Sequence, residues 1–294
     1  MALYFFNKRT DSFDYEATHI CKCCGTTFKG RFCNRCGEKV TEPDEHSILN
    51  FLESLLNAFT SLDGKFIKSM KLLVTSPGRL SRNIAEGVRV PYMKMVSLFL
   101  VANFFYFLIP SWDSFNSSLY TQMNVLGHHE DATKIVNQRL VKENIPLSEF
   151  AKKYEAKSTN LSKLLLIVLA IMFAFILMII NFSKKIFFFE HLLFSMEFFS
   201  FHLLINLLII TYTIFAVIKG ADTLGLNWRF LITDEYFSSI AKVTLGYFLV
   251  RGQVIFYNQK WYWGALRALA LFLLFSQSVE VYRVLLFYAT MWLM

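Results

Sequence analysis

All five cysteines lie in one short stretch near the N-terminus, CKCCGTTFKGRFCNRCG, residues 21–37. Two copies of a Cys-x2-Cys-Gly motif supply Cys21, Cys24, Cys33 and Cys36. Each copy predicts a tight turn in which the Gly lets backbone N–H groups approach two thiolates. Four thiolates in a tetrahedron are a ligand set that suits Zn²⁺. The spacing therefore predicts a zinc site that excludes Cys23; four unligated thiols or an iron site of rubredoxin type are the alternatives.

This cysteine segment is predicted to be structural. A site with four thiolates leaves zinc no open position for substrate or water. Residues 20–39 are too few to bury a core, so we expect them to fold only with metal bound. The segment is basic, but it offers few phosphate contacts and little aromatic surface beyond Phe28 and Phe32, so nucleic acid is not an expected partner.

A second group of chemistry-bearing residues lies in the apolar stretch 186–218. Ionisable residues inside apolar segments are candidate functional sites. One hypothesis is a metal, proton or lipid-headgroup site built from the residues Glu190, His191, Glu197, His202 and Asn206. The alternative, which we favour, is structural: Glu190 and His191 lie at a cytoplasmic helix end, and Glu197 pairs with a base such as Arg267.

Other polar groups carry weaker signals. Glu280 and Arg283 are three residues apart in an apolar stretch and can pair on one helix. The sequence His128-His129-Glu130-Asp131 is interpreted as a solvated loop that binds metal weakly at most. We find no P-loop, GxSxG, HExxH or dinucleotide motif, so the motifs do not support an enzyme.

The composition predicts a membrane protein. Of the 294 residues, 55% are hydrophobic and 18% are charged, below the roughly 25% charged residues of soluble domains. Five segments are apolar enough to be predicted spans, at about residues 92–109, 162–182, 196–218, 231–256 and 265–292. The predicted fold class is an all-α multi-pass membrane protein with about five transmembrane helices and a small N-terminal zinc ribbon.

The predicted organisation follows the chain in order. We expect five parts: a tail (1–19), the zinc ribbon (20–39), a linker (40–46), cytoplasmic amphipathic helices (47–91) and the helical membrane domain (92–294). In the amphipathic part, Lys65, Lys68 and Lys71 share one side of a helix. This helix can lie on an anionic membrane surface; alternatively, the amphipathic helices pack on each other or on the spans. A short helix is predicted next, with Ser76 as its cap and Gly87 at its end.

Basic residues predict the orientation. Seven Lys and Arg residues lie in 63–94 against Asp63 and Glu86, which places that end in the cytoplasm. No signal peptide is evident at the N-terminus. Five spans then put the C-terminus outside. If residues 231–256 form a re-entrant or interfacial hairpin, there are four spans and the C-terminus is inside.

The order of these features resembles a bacterial family of zinc-ribbon multi-pass membrane proteins, domain of unknown function 3667. The resemblance rests on the cysteine motifs, SPGRL and GVRVPY before the first span, FFEHLLF, and the turn in YNQKWYWGALRAL. It covers about residues 20–290. Where the family usually has a Pro soon after Tyr92, this chain has Met93-Lys94, and its outer loop is about 50 residues long. The resemblance implies the architecture and no activity.

Three function classes follow for a protein of the bacterial inner membrane with a cytoplasmic N-terminus. The first is a scaffold whose zinc ribbon binds a cytoplasmic protein. The second is a transporter, or a channel formed by a homo-oligomer, that uses polar residues of the third and fifth spans. The third is a membrane enzyme that modifies lipid. The closed cysteine site favours the first.

Overall fold

The structure is a computed structural model. It describes residues 14–21, 24–35, 62–89, 91–108, 115–182, 186–226, 228 and 234–294. The chain divides into two compact units, Met1–Ser61 and Leu62–Met294.

The first unit contains a β-hairpin. Strand β1 (Thr18–Ile20) pairs antiparallel with β2 (Thr27–Lys29), and His19 lies opposite Phe28 in the register. Gly25 and Gly30 adopt positive φ angles of 70° and 94° at the turns that flank β2, where a residue with a side chain would be strained. The hairpin brings Cys21 and Cys24 close to Cys33. The predicted linker and the first amphipathic helix lie outside the described residues.

The second unit is helical. In chain order its helices are α1 (Leu62–Thr75), α2 (Arg79–Ala85), α3 (Met95–Leu108), α4 (Leu119–Asn124), α5 (His129–Glu143), α6 (Leu147–Leu164), α7 (Leu166–Ile180), α8 (Phe188–Thr223), α9 (Asp234–Ile255) and α10 (Trp261–Leu293). The fold is therefore mostly helical, as predicted.

Two helices are long and apolar enough to cross a membrane, α8 with 36 residues and α10 with 33 residues. Helices α6 and α7 meet at a bend of 52° and add a third span if the pair crosses as one. Helix α3 has 14 residues, about 21 Å, shorter than a hydrocarbon core of about 30 Å. Among the described residues, these lengths give two to three candidate spans, where the sequence predicted five.

Helix α8 is continuous but not uniform. It consists of α-helical Phe188–Phe201, π-helical His202–Ile210 and α-helical Thr211–Thr223. At about 1.5 Å per residue, 36 residues would extend about 54 Å. The helix is longer than the apolar stretch 186–218 and longer than a hydrocarbon core of about 30 Å requires. Its central part is buried on all sides: every residue from Leu193 to Leu208 is buried.

Aromatic rings form the centre of this unit. The Phe198 ring lies 4.7 Å from Phe173 and 5.0 Å from Phe275, so one residue of α8 joins α7 to α10. The ring of the next residue of α8, Phe199, packs edge-on against Phe99 of α3. Tilted and edge-to-face contacts of this kind stabilise a core beyond the area they bury. The chain contains 32 Phe residues, and several of them pack α8 against its neighbours.

Helix α1 packs on the other helices through its apolar side. Leu73 is fully buried, and Phe66 and Met70 pack against the same core. Lys65, Lys68 and Lys71 are exposed. The apolar side of α1 therefore packs on the other helices, and its basic side is exposed.

The beginning of α2 differs from the prediction. The helix begins at Arg79, and its N-cap residue is Gly78, which has a φ of 83° and no side chain that could accept a hydrogen bond. Ser76 instead accepts at its carbonyl from the N–H of Arg79. The predicted end is correct, since the N–H of Gly87 bonds to the carbonyl of Ile84 and Gly87 has a φ of 92°.

Helices α4, α5 and α6 form a small cluster on the end of α10. Phe150 and Tyr154 are fully buried against Phe287 and Met291. Arg139 donates to the carbonyl of Met291 at 2.9 Å. The long outer loop predicted at 112–161 is therefore helical over much of its length and packs on the C-terminal turns of the chain.

Helix α9 approaches α8 closely at Gly252. A Cβ atom built on Gly252 would overlap the ring of Phe194. That ring is fully buried among Phe248, Phe256 and Tyr257, at centroid distances of 5.7, 5.3 and 5.4 Å. The Phe194 ring therefore has little room to move away from an added Cβ atom.

We expect Gly252→Ala to destabilise the protein by about 1–3 kcal/mol, the usual cost of overpacking a filled core. Gly246→Ala is the matched control, because a Cβ at Gly246 of the same helix meets no atom within 4 Å; it should be neutral or slightly stabilising. The measurement is thermal unfolding of the purified protein in detergent. Equal midpoints for the two variants would contradict the close contact.

Candidate metal centre and intramembrane cavity

The cysteine hairpin brings three thiol groups together. The sulfurs of Cys21, Cys24 and Cys33 all lie within 4.8 Å of one another, and those of Cys24 and Cys33 are 3.6 Å apart. A tetrahedral zinc with Zn–S bonds of about 2.3 Å requires sulfurs about 3.8 Å apart. The three side chains therefore fit a zinc site. Cys36, the fourth predicted ligand, and Cys23 lie outside the described residues.

The backbone around the sulfurs forms the predicted turn. Gly25 donates its N–H to the carbonyl of Cys21 at 2.9 Å, and Cys21 donates its own to the carbonyl of Thr26 at 2.9 Å. Cys21 and Cys33 are 5% and 3% exposed. The small core of this hairpin consists of the three cysteines and Phe28. Because the ligands make up most of the core, a bound metal would replace the hydrophobic packing that the segment lacks.

Glu197 binds the beginning of α2. One carboxylate oxygen accepts from the N–H of Gly78 at 2.8 Å, and the other accepts from the N–H and hydroxyl of Ser81 at 2.8 and 2.5 Å. The side chain is fully buried. N–H groups at a helix N-terminus lack partners within the helix and favour a negative charge. Glu197 is thus a long-range cap.

This finding corrects the predicted partner of Glu197. The structural role is supported, but the carboxylate bonds to backbone N–H groups and a hydroxyl. Arg267, the base suggested from the sequence, donates to the side-chain oxygen of Asn181 at 3.1 Å.

Glu190 and His191 lie at the beginning of α8, as predicted. The Glu190 carboxylate accepts from the N–H of Phe187 at 2.9 Å, which caps the helix. His191 is buried, and its Nδ1 lies 2.8 Å from the hydroxyl of Tyr257 in the turn before α10. Burial raises the pKa of Tyr257 well above its usual value. The phenol therefore stays protonated, and the pair fixes the turn against α8.

His202 and Asn206 lie in the π-helical segment. The amide nitrogen of Asn206 is 3.1 Å from Nδ1 of His202, and its oxygen accepts from Thr244 of α9 at 2.7 Å. His202 and Asn206 are 6% and 4% exposed. Short π-helical segments often occur at functional sites. This one places two polar side chains against α9 within an apolar helix.

These two residues line a cavity of about 360 Å³ between α8, α9 and α10. Its wall also contains Glu280 and Arg283 of α10, whose charged groups are 3.3 Å apart. The remaining polar lining is Ser238, Lys242 and Ser276. The cavity thus joins polar residues of the third and fifth predicted spans, and it is partly open to the surface.

The five polar residues predicted in 186–218 therefore separate into three places. Glu190 and His191 lie at a helix end, Glu197 caps α2, and only His202 and Asn206 reach the cavity. Sequence reasoning missed Lys242 and the two serines as partners of this site, because only the packing of α9 on α8 and α10 brings them there. The ion pair of Glu280 with Arg283 was predicted and is confirmed.

The segment around His128 does not form a metal site. Among the described residues, the three cysteines are the group placed to hold a metal ion. His128 precedes α5, and its ring packs 5.2 Å from Phe287. Burial lowers its pKa. Glu130 and Asp131 occupy the first turn of α5, where acidic side chains are favourable.

Residues 63–107 match the model of a family described as a protein of unknown function, DUF3667. The match covers 45 of the 294 residues. It includes α2 and therefore Gly78 and Ser81, the partners of Glu197. No curated protein and no solved structure matches the chain. The comparisons thus support the resemblance to this family over α1 to α3.

Proposed function

We propose that this chain is a multi-pass protein of the bacterial inner membrane that presents a structural zinc ribbon in the cytoplasm as a protein-interaction module. The observation that carries the proposal is the meeting of three cysteine sulfurs at distances that fit zinc. Cys36 completes the ligand set. A closed four-thiolate site contributes a rigid surface and no reactivity, which suits binding better than catalysis.

The packing of the helices supports five crossings with the N-terminus inside. Helix α2 packs on the beginning of α8 and the end of α9, through Glu197 and Gly252. These are the ends that the basic residues assign to the cytoplasm. Helices α5 and α6 pack instead on the end of α10. Five crossings would put the outer loop and the C-terminus on one side of the membrane, in agreement with this packing, and four would put them on opposite sides.

Photo-crosslinking in living cells tests this function. A crosslinking amino acid replaces Phe32, which is 60% exposed on the ribbon, in the full-length chain. We expect discrete cross-links to cytoplasmic proteins that disappear when Cys33→Ser is added, because the surface depends on the metal. As a control, the same crosslinking amino acid replaces Tyr120 of α4, which is 72% exposed. This variant should give none of these products. Identical products with and without Cys33→Ser would contradict the proposal.

The cavity favours a second candidate function, the handling of a ligand by the membrane domain. The transporter and lipid-enzyme alternatives both require polar groups that a ligand can reach within the spans. His202, Asn206, Glu280 and Arg283 meet this requirement in one cavity. Which of the two applies depends on the chemistry of the ligand.

A further inference from the structure

We propose that the cavity between α8, α9 and α10 binds the anionic headgroup of an amphiphile, a phosphate or carboxylate that carries an apolar chain. This inference rests on the second candidate function and specifies its ligand. It is independent of the cysteine site, so either can fail without the other.

Charge favours an anion. The cavity contains two cationic side chains, Lys242 and Arg283, and one carboxylate, Glu280, so the formal charge of its wall is one positive. Glu280 already has a partner in Arg283 at 3.3 Å. No described carboxylate lies within ion-pair distance of the exposed Lys242. An incoming anion therefore meets two cations in the wall, the exposed Lys242 and the Arg283 that pairs with Glu280.

The other polar groups add hydrogen-bond donors. The amide nitrogen of Asn206 can only donate, so Nδ1 of His202 accepts, and the ring proton lies on Nε2. His202 therefore offers a donor from within the wall. The hydroxyls of Ser238 and Ser276 can donate as well. A group with several acceptor oxygens, such as a phosphate, satisfies this set.

The apolar part of the wall favours an amphiphile over a free ion. More than half of the lining residues are apolar, among them Leu207, Leu245, Phe272 and Phe275. Outside the cavity, Val243 and Leu273 are 73% and 59% exposed beside lining residues of α9 and α10. An acyl chain that leaves the cavity between these helices would meet apolar surface. An inorganic anion would leave most of the wall without a partner.

Titration of the purified full-length protein in a nonionic detergent tests the proposal. The probes are short-chain phosphatidic acid, phosphatidylcholine with the same chains, and inorganic phosphate. Affinity is read from the rise of the thermal midpoint with ligand concentration. We expect phosphatidic acid to bind at least about ten-fold more tightly than either other probe, the factor associated with one charge-assisted hydrogen bond.

Two pairs of variants locate the binding. Lys242→Gln should weaken phosphatidic acid about ten-fold, while Lys219→Gln, an exposed lysine of α8 outside the cavity, should leave it unchanged. Arg283→Gln and Arg267→Gln form the same comparison within α10. Because Lys242 is exposed, its variant should fold even if Arg283→Gln does not. Equal losses in Lys242→Gln and Lys219→Gln, equal affinity for phosphatidylcholine, or equal affinity for inorganic phosphate would each overturn the proposal.

Discussion

Replacing Glu197 by Ala is expected to lower the free energy of unfolding by about 3–5 kcal/mol. The substitution removes the acceptor of three hydrogen bonds and leaves the N–H groups of Gly78 and Ser81 without it. Both residues are buried, so water cannot readily replace the carboxylate. Each stranded donor costs about 1–3 kcal/mol. The loss should separate α2 from α8 and reduce the yield of folded protein.

Glu197→Gln distinguishes a structural carboxylate from a functional one. Gly78 and Ser81 both donate to the Glu197 carboxylate, and an amide offers only one accepting oxygen. The NH₂ group of the introduced Gln would therefore face a backbone N–H of Gly78 or Ser81, where two donors cannot pair. We expect Glu197→Gln to be clearly destabilised as well. Ser81→Ala should cost about 1 kcal/mol, because it removes one hydroxyl donor and leaves the two backbone bonds.

Ser200→Ala serves as the control for a buried substitution in α8, since its hydroxyl donates only to the carbonyl of Met196 in the same helix. Thermal midpoints in detergent compare the four variants. About 2–4 °C per kcal/mol is usual for chains of this size, so Glu197→Ala should fall by roughly 10 °C. A stable Glu197→Gln protein that loses its biological activity would instead give the carboxylate a functional role.

The features that the sequence predicted correctly depend on neighbours along the chain. The motif Cys21-x2-Cys24 predicts a turn because both ligands belong to the same few residues. Glu190 caps α8 through the residue three positions before it, and Gly87 ends α2 through a local carbonyl. The apolar segments 92–109, 231–256 and 265–292 lie within four residues of α3, α9 and α10 at both ends, whereas the segment 196–218 begins eight residues after α8 does.

The features that the sequence missed depend on contacts between distant segments. Glu197 and Gly78 are 119 residues apart, and no local pattern in SPGRL shows that its cap comes from α8. The cavity likewise requires α9 to pack on α8 and α10, which brings Lys242 near His202. Apolar composition locates a helix, but it does not predict the bend between α6 and α7 or the shortness of α3.

Replacing Cys33 by Ser is expected to remove the metal and unfold the ribbon. The purified full-length protein should contain about one zinc per chain, and the variant should contain almost none. Structural zinc sites in small domains contribute about 10–16 kcal/mol of apparent binding free energy near pH 7. Among the described residues of the hairpin, Phe28 is the one core residue besides the cysteines, so the loss of the metal is not compensated by packing within this part of the chain. Elemental analysis gives the metal content, and limited proteolysis reports whether residues 14–35 become accessible.

Two further cysteine variants decide the ligand set. Cys36→Ser should lose zinc as completely as Cys33→Ser, because the doubled Cys-x2-Cys-Gly spacing requires Cys36 as the fourth thiolate. Cys23→Ser should keep a full complement of zinc and resist the protease, since Cys23 belongs to neither motif. The two serine substitutions are chemically identical, so a difference between them arises from position alone. Iron in the purified protein, an absence of metal, or zinc loss in Cys23→Ser with retention in Cys36→Ser would contradict the assignment. Because the cysteine thiols must lose their protons to bind zinc, zinc retention should also weaken as the pH falls.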